Sequence, residues 1–287
     1  MRAMPEHPDT LIWVVLTIVT INMNVCSFFL LDMDQTPRYE EKMKILVCIK
    51  QVGDDGEINR FDVHALEEAL YIKDQLGAQK SDLVTVDVVT VGPPDAAKII
   101  RRAFGLGVDS GYHIVTHESE YVSSFVTASR LEAVAKKIPY DLILTGIMSV
   151  DMMAGQTGPM LAKIMGLPCA TGVVKTSLPS SANMIEVERE LENGFRDCLA
   201  IRLPAVLTIQ AGINTPRYPR LSNMLAAGQK QITILKEVEL FPEPIQAKEI
   251  CTGLEFPQKT RSGQMLEGSL ADMAEQLFAV LTEKDLI

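Results

Sequence analysis

Short apolar segments alternate along the chain with longer segments whose apolar residues recur at helical spacing, beginning at Met43. Residues 45–52 are apolar and β-branched and have the length of a buried strand. Asp62 stands where a helix over 63–75 would begin, and its side chain is predicted to cap that helix. The same alternation predicts strands over 83–91, 111–115 and 141–145, and helices over 92–106, 122–137 and 159–165. Strands separated by helices in this way are typical of βαβ units and a parallel sheet.

The pattern changes after Pro168. Two strand-like segments, 184–191 and 195–203, flank Asn193-Gly194, which is the strongest short signal for a β-hairpin. Further strand-like segments cover 205–210 and 231–236. The chain is therefore predicted to be an α/β protein with a mostly parallel twisted sheet, flanking helices and an added antiparallel hairpin.

The C-terminal section is predicted to be an extended arm followed by a helix. Several prolines and little periodicity mark residues 241–268, and residues 269–281 place apolar side chains on one helical face. An arm of this kind fits wrapping around a partner, and a helix packed back on its own domain fits the periodicity equally well. We expect an α/β domain over 43–240 and a separate arm and helix over 241–287.

Residues 1–42 do not share the pattern of the rest. Residues 11–31 form an uncharged, mostly apolar run long enough to cross a bilayer. Three interpretations stay open: a transmembrane or signal anchor, a cleaved signal peptide, and an upstream start codon assigned in place of Met43. The fold prediction therefore concerns residues 43–287. We expect membrane contact only if residues 11–31 are translated and remain part of the mature protein.

Composition argues against several classes of function. The net charge of −10 argues against nucleic-acid binding, which requires clustered Lys and Arg. The five cysteines show no CxxC pair and the four histidines are scattered, so we predict no metal site. This cysteine usage suits a reducing compartment, and we expect a cytoplasmic protein. No Ser/His/Asp or Cys/His arrangement is recognisable, and the adjacent Glu67 and Glu68 are interpreted as a solvated helix face rather than an acid/base pair.

The segment after the fourth predicted strand is a candidate nucleotide site. It reads Gly146-Ile-Met-Ser-Val-Asp-Met-Met-Ala-Gly-Gln-Thr-Gly158 and leads into a helix. In open parallel sheets, ligands bind outside the carboxyl ends of the strands, and a helix N-terminus offers unpaired N–H groups to a phosphate. Gln156 and Thr157 add side-chain donors. The segment has neither a Rossmann fingerprint nor a Walker motif, so a plain loop-to-helix cap is the alternative.

A second candidate site is the segment Asn214-Thr-Pro-Arg-Tyr-Pro-Arg-Leu-Ser-Asn-Met-Leu-Ala-Ala227, called here the proline-rich segment. Pro216 and Pro219 fix their own φ and favour extended geometry in the residue before them, so a stiff, exposed arm is predicted. Arg and Tyr, which this segment carries, are enriched at protein interfaces. An ordinary crossover loop between two strands is the alternative that physics alone leaves open.

Several short sequence motifs of this chain, taken together in their order and spacing, resemble those of the electron transfer flavoprotein beta subunit. The Asn-x-Pro-Arg-Tyr-x-x-Leu pattern from Asn214 to Leu221 is similar to the recognition loop of that family, which would span 212–229 here. Similar blocks in the same order are Ile45-Leu-Val-Cys-Ile-Lys-Gln-Val52, Asp62-x-x-Ala-Leu-Glu-Glu-Ala-Leu70, Gly92-Pro93, Gly105-x-Gly-Val-Asp109, Gly146…Asp151…Gln156-Thr-Gly158, Leu203-Pro-Ala-Val206 and Pro257-Gln-Lys-Thr260. The resemblance extends from Met43 to the end of the chain.

The resemblance implies a Rossmann-like adenine-nucleotide-binding fold in a heterodimer. An alpha subunit would hold most of a redox-active FAD, and this chain would bury an AMP, help to hold that FAD, and have no catalytic residues of its own. Carried over by position, the cofactor-binding residues would be Cys48, Val91, Ser149, Asp151, Gln156, Thr157 and Gly158. Backbone at Cys48 and Val91 would line the adenine pocket, and Gln156 and Thr157 would contact phosphate.

The same resemblance implies two kinds of protein partner. Residues 241–287 would wrap the alpha subunit, and the recognition loop would dock acyl-CoA dehydrogenase-type flavoenzymes. The partner-recognition residues would be Pro216, Arg217, Tyr218 and Leu221, with Leu221 as the apolar anchor. Ala226-Ala-Gly-Gln229 departs from the lysines common there, which leaves the partner specificity open.

The nucleotide of this chain has two candidates. The blocks at 48–52 and 65–70 are similar to electron-bifurcating members, which bind a second FAD in place of AMP. Gln156-Thr-Gly158 and the recognition loop are similar to AMP-binding members, and we predict AMP with FAD as the alternative. An adenine-nucleotide hydrolase of related fold is a further alternative, but it would need a phosphate-loop signature after the first strand, where Gly53-Asp-Asp-Gly56 stands.

Overall fold

The apolar strands of the sequence pattern form one large, mostly parallel sheet. The computed structural model describes residues 42–53, 56–77, 84–116, 122–178, 183–249, 252, 263 and 265–286, and the predictions on residues 1–41 lie outside this part. The strands are β1 (Met43–Cys48), β2 (Gln51–Val52), β3 (Glu57–Ile58), β4 (Val84–Gly92), β5 (Ser110–Val115), β6 (Leu142–Gly146), β7 (Cys169–Ser177), β8 (Met184–Glu190), β9 (Arg196–Arg202), β10 (Ala205–Ile209) and β11 (Thr233–Lys236).

Nine of these strands pair in the order β11-β5-β4-β1-β6-β10-β7-β8-β9, and β2 and β3 form a separate ribbon. The ladders from β11 through β7 are parallel, whereas β8 is antiparallel to β7 and to β9. The turn between β8 and β9 places Asn193 and Gly194 at positive φ, which their residue types tolerate. The predicted α/β fold and its added antiparallel hairpin are therefore confirmed.

Helices cover both faces of the sheet. On one face lie α1 (Arg60–Gly77) and α2 (Ala97–Leu106), and on the other lie α3 (Ser124–Ala135) and α4 (Thr157–Met165). The remaining helices of the described residues are α5 (Leu221–Ala227), α6 (Glu237–Leu240) and α7 (Leu270–Glu283). Because side chains alternate along a strand, Val47 of β1 packs in the apolar cluster shared with α1 and α2, and Leu46 packs in the cluster shared with α3 and α4. The continuous apolar runs of the inner strands follow from this burial on both faces.

Three local predictions were wrong. α1 begins at Arg60, so Asp62 lies inside the first turn rather than at the cap. The strand β7 was not predicted, and the proline-rich segment contains the short helix α5.

The described residues belong to two compact units, with the division between Ile250 and Cys251. In the second unit, α7 begins with a capping box in which Ser269 and Asp272 each accept a hydrogen bond from the backbone of the other. This helix agrees with the amphipathic helix predicted over 269–281. None of the helices in the described residues is long and apolar enough to cross a membrane.

Candidate functional site

The C-terminal ends of β1 and β6 form a crevice where the chain connections diverge. β1 leads to α1 on one face of the sheet, and β6 leads to α4 on the opposite face. Adjacent parallel strands whose connections leave to opposite faces define the topological switch point of an open α/β sheet, where ligands bind. The predicted nucleotide residues surround this point: Cys48 ends β1, residues 149–158 follow β6, and Val91 lies near the end of the neighbouring strand β4.

The carboxylate of Asp62 separates the ends of β1 and β6. Its Oδ2 accepts a hydrogen bond from the Lys50 N–H (2.8 Å), and its Oδ1 accepts one from the Gly146 N–H (3.0 Å). Asp62 thus accepts hydrogen bonds from backbone N–H groups of both chain segments at the point where the two strands diverge. Glycine is required at 146, because a Cβ there would collide with Asp62 and with Phe61 of α1. Burial raises the pKa of Asp62 to about 7, against the lowering effect of its hydrogen bonds with Lys50, Asn59 and Gly146.

Asn59, directly before α1, holds the loop that follows β6. Its Nδ2 donates to the Met148 carbonyl (2.8 Å), and its Oδ1 accepts from the Val150 N–H (3.1 Å). Asn59 is buried, so these bonds satisfy an amide that water does not reach. Asn59 was not among the site residues predicted from the sequence. Its place before a helix is also that of an ordinary capping residue, so the residue type carried no separate signal.

A lysine–carboxylate pair bridges the two strand ends. Lys50 Nζ lies 2.7 Å from Asp151 Oδ2 and 3.4 Å from Ser149 Oγ. Partial burial would raise the pKa of Asp151, but hydrogen bonds from Lys50 and Ser149 outweigh it, and the pKa is lowered. The structure therefore brings together Ser149 and Asp151, which the sequence had placed in one pocket, and adds Lys50. Both side chains are 43% exposed, so the pair contributes little to stability.

The N-terminus of α4 presents unpaired backbone donors. Gln156 is the N-cap residue, and its side chain makes no capping hydrogen bond. Met160 donates its N–H to the Gln156 carbonyl, and Pro159 has no N–H, so the first-turn donors without an intrahelical acceptor are those of Thr157 and Gly158. Two adjacent N–H groups at the positive end of a helix suit an anion.

Gly158 packs the start of α4 directly onto the sheet. A Cβ on this residue would lie 2.6 Å from Thr208 Cγ2 on β10 and 2.7 Å from Thr145 Oγ1 on β6. Only glycine allows this approach, and the packing resembles the role of the last glycine in dinucleotide-binding turns. Gly158 therefore sets the distance between the helix end and the strands as well as offering its own N–H.

The ladder between β1 and β4 ends at Val89 of β4. The register of the two strands ends at the pair Cys48–Val89, and the Ile49 N–H donates to the Val89 carbonyl (2.9 Å). Backbone groups alternate in direction along a parallel strand, so Val91 directs its N–H and C=O to the same side as Val89, where β1 has already ended. The N–H and C=O of Val91 therefore point together to the side where the β1 ladder has ended. The Cys48 thiol is buried, and burial raises its pKa, so the thiol stays protonated.

The proline-rich segment is anchored on α1. Asn214 Nδ2 donates to Glu68 Oε2 (2.9 Å) and to the His64 carbonyl (3.0 Å). The Arg217 backbone N–H donates to Glu67 Oε2 (3.0 Å), and Arg217 Nη2 lies 2.9 Å from Glu67 Oε1. Glu67 and Glu68 are only 8% and 3% exposed, so the interpretation of a solvated helix face is wrong. The free arm predicted from the prolines is also wrong for this part of the segment, since it lies against α1.

Beyond Arg217 the proline-rich segment turns outward and enters α5. Tyr218 is 94% exposed and Leu221 is 77% exposed, as predicted, and Leu225 lies one helical turn after Leu221 on the same exposed face. Pro216 is half-buried. The opposite side of α5 is closed by Ala227, which is buried in the cluster with α1 and α2.

The far end of the proline-rich segment is held by α2. Arg101 Nη1 donates to the carbonyls of Ala227 and Gly228, each at 3.4 Å. Lys230 Nζ donates to the Val108 carbonyl (2.7 Å) and lies 5.3 Å from the centroid of the Phe104 ring. The exposed apolar face of α5 is therefore displayed between two fixed ends.

These features define an α/β protein with a candidate ligand site at the switch point and a separate exposed apolar surface. The model of the electron transfer flavoprotein domain matches residues 46–240. The chain is 30% identical over 249 residues to the electron transfer flavoprotein subunit beta of Bacillus subtilis strain 168, covering 85% of this chain and 93% of that protein. The chain therefore belongs to the electron transfer flavoprotein family, among its beta subunits.

Two further relatives extend the comparison. The human electron transfer flavoprotein subunit beta is 29% identical, covering 84% of this chain and 98% of that protein. The caffeyl-CoA reductase-Etf complex subunit CarD of Acetobacterium woodii is 29% identical, covering 85% of this chain and all of that protein. The relatives are electron transfer subunits that include components of reductase complexes.

Proposed function

We propose that this chain is the beta subunit of a heterodimeric electron transfer flavoprotein, binding AMP at the switch point between β1 and β6. The single observation that carries the nucleotide proposal is the pair of open N–H groups at Thr157 and Gly158, set against the sheet by the missing Cβ of Gly158. These groups would hold a phosphate. The backbone groups of Val91 would take the adenine ring, and Lys50 would add a positive charge beside it.

The chemistry of electron transfer would come from the FAD that the alpha subunit holds, which accepts and releases electrons. This chain would bind its own nucleotide, help to hold that FAD and present the docking surface. None of its residues needs to form a bond with a substrate. We therefore propose a carrier subunit without catalytic residues of its own.

The docking surface would be the exposed face formed by Tyr218, Leu221 and Leu225. An exposed leucine between fixed ends fits the role of an apolar anchor that enters a pocket on a flavin dehydrogenase of the acyl-CoA type. Arg217 would act differently from the sequence-based expectation, since its guanidinium is already engaged by carboxylates of α1.

Nucleotide extraction tests the proposal. The heterodimer, purified from its native source with the alpha subunit, should release AMP and FAD in equal amounts, one of each per heterodimer. Two FAD and no AMP would contradict the AMP assignment and support the alternative of an FAD-binding beta subunit of an electron-bifurcating flavoprotein. Reduction of the bound FAD by a purified acyl-CoA dehydrogenase from the same organism tests the carrier role separately, and failure to reduce it would contradict that role.

A further inference from the structure

The strongest unexplained feature of the molecule is a pair of buried carboxylates on α1. Glu67 and Glu68 lie on the side of α1 that faces the proline-rich segment, and they bind it at two points, Arg217 and Asn214. We propose that Glu67 and Glu68 are positioning residues for partner docking, which hold the start of the proline-rich segment so that Tyr218 and Leu221 face outward in one arrangement. This inference rests on the proposed docking role of that segment.

The contact of Glu67 fixes backbone as well as side chain. One carboxylate oxygen accepts from both the backbone N–H and the Nε of Arg217, each at 3.0 Å, and the other accepts from Nη2 at 2.9 Å. Asp74, two helical turns further along α1 and largely exposed, lies 2.9 Å from the same Nη2. The hydrogen bond with Glu67 raises the pKa of Arg217, so the cation persists. Arg217 is thus bound through its backbone N–H and two guanidinium nitrogens, which fixes its orientation directly before Tyr218.

Glu68 ties the segment to a second part of the fold. Its Oε2 accepts from Asn214, and its Oε1 accepts from the Thr176 hydroxyl of β7 at 2.5 Å. Asn214 is oriented further, because its Oδ1 lies 3.1 Å from His64 Nδ1 and its Nδ2 donates to the His64 carbonyl. The start of the segment is therefore fixed to α1 and, through Glu68, to the sheet.

Burying the carboxylates of Glu67 and Glu68 costs free energy, which their hydrogen bonds must offset. A buried carboxylate without partners is strongly unfavourable, so both glutamates depend on the segment just as the segment depends on them. Exposed apolar residues such as Tyr218 and Leu221 gain nothing from the fold itself. Glu67 and Glu68 hold these two residues in place before a partner binds, which reduces the conformational entropy lost on binding.

The test compares Glu67→Ala with Glu239→Ala in the complete heterodimer. Glu239 is an exposed carboxylate on α6, paired with Lys236 at 3.7 Å, so its removal changes the net charge equally without touching the segment. The rate of FAD reduction by an acyl-CoA dehydrogenase is measured against heterodimer concentration, together with hydrogen exchange of residues 215–227. Glu67→Ala should raise KM for the heterodimer by roughly five- to tenfold with kcat unchanged, because preorganisation is lost but the anchor remains. Glu239→Ala should change neither.

Hydrogen exchange provides the readout that does not depend on a partner. The Arg217 amide loses its acceptor in Glu67→Ala, and exchange across 215–227 should increase by at least tenfold while the inner strands keep their protection. Combination with Leu221→Ala should be non-additive in KM, since a displaced segment no longer presents Leu221 correctly.

The possible results distinguish the positioning role of Glu67 and Glu68 from the docking role of the proline-rich segment. If Leu221→Ala raises KM but Glu67→Ala does not, the positioning role is wrong and the docking role stands. If Leu221→Ala leaves KM unchanged, the docking role fails and the positioning role fails with it, whatever hydrogen exchange shows. Unchanged exchange over 215–227 in Glu67→Ala also overturns the inference. Where Glu67→Ala does not fold, Glu67→Gln keeps the buried volume and removes the charge, and it should show the same changes at smaller size.

Discussion

Gly158→Ala tests the nucleotide site most directly, because the structure fixes what an added methyl group would meet. The new Cβ would lie 2.6 Å from Thr208 Cγ2, whereas ordinary contact begins at 3.4 Å. The first turn of α4 must therefore move by about 0.8 Å away from the sheet, at a cost of about 1–3 kcal/mol in the free energy of unfolding. The two N–H groups proposed to hold the phosphate move with it.

The loss in nucleotide affinity follows from those N–H groups. A hydrogen bond to a charged partner contributes about 1.5–3 kcal/mol, and losing one of the two would weaken AMP binding by roughly 10- to 150-fold. The measurement is the AMP content of the purified heterodimer, with calorimetric titration of AMP into nucleotide-depleted protein. Denaturant unfolding of the same samples separates loss of affinity from loss of fold.

A second substitution makes the test specific. Thr208→Ser removes Cγ2, the atom nearest to the added methyl, and keeps the hydroxyl that accepts from the Gly172 N–H at 3.2 Å. Gly158→Ala with Thr208→Ser should therefore regain part of the affinity, while the contact with Thr145 limits the recovery. If Gly158→Ala keeps wild-type AMP content and affinity, the first turn of α4 is not the phosphate site and the reasoning is refuted.

Three further predictions use other parts of the structure. Thr157→Val should reduce AMP content while the FAD of the alpha subunit remains, because one hydroxyl donor worth about 1 kcal/mol is lost; retained AMP would exclude a hydroxyl contact. The raised pKa of Asp62 predicts that the free energy of unfolding falls as pH rises from about 4 to about 7, because the folded state binds the proton of this carboxyl more tightly than the unfolded state does. Asp62→Asn should lack this pH dependence. If denaturant titrations give the same pH dependence for the wild type and for Asp62→Asn, the prediction is wrong. Leu221→Ala should raise KM for the heterodimer by more than about tenfold without changing the melting temperature. The control Val238→Ala, at a residue of α6 with the same 77% exposure, should leave KM unchanged. A large fall in the melting temperature of Leu221→Ala would show a structural role instead.

Most of the fold follows from local sequence pattern. The apolar runs at the inner strands, the helical spacing between them and the Asn193-Gly194 turn each specify an element through interactions within a few residues. The strand β7 escaped prediction because Thr171, Gly172 and Lys175 interrupt its apolar pattern. Its pairing is decided by β10 and β8, which are distant in sequence.

The candidate site shows where local pattern fails. Asp62 has the residue type and spacing of a helix cap, but its acceptors serve Lys50 and Gly146, and Gly146 lies 84 residues away. Glu67 looks like a solvated residue, and its partner Arg217 lies 150 residues further on. Only the fold brings such groups together, so a residue type that fits two roles cannot be assigned from the sequence alone.

Helix α1 explains why both candidate sites occur in one domain. Its first turn and the residue before it, Asp62 and Asn59, part β1 from β6 and hold the loop that follows β6. Its middle turns carry Glu67 and Glu68, which hold the proline-rich segment. Asp62, Glu67 and Glu68 are the buried polar side chains of α1 in the described residues, and each has a long-range hydrogen-bond partner, while the apolar side of the helix packs on the sheet. The orientation of α1 on the sheet therefore fixes the switch-point crevice and the exposed face of Tyr218 and Leu221 in the same rigid frame.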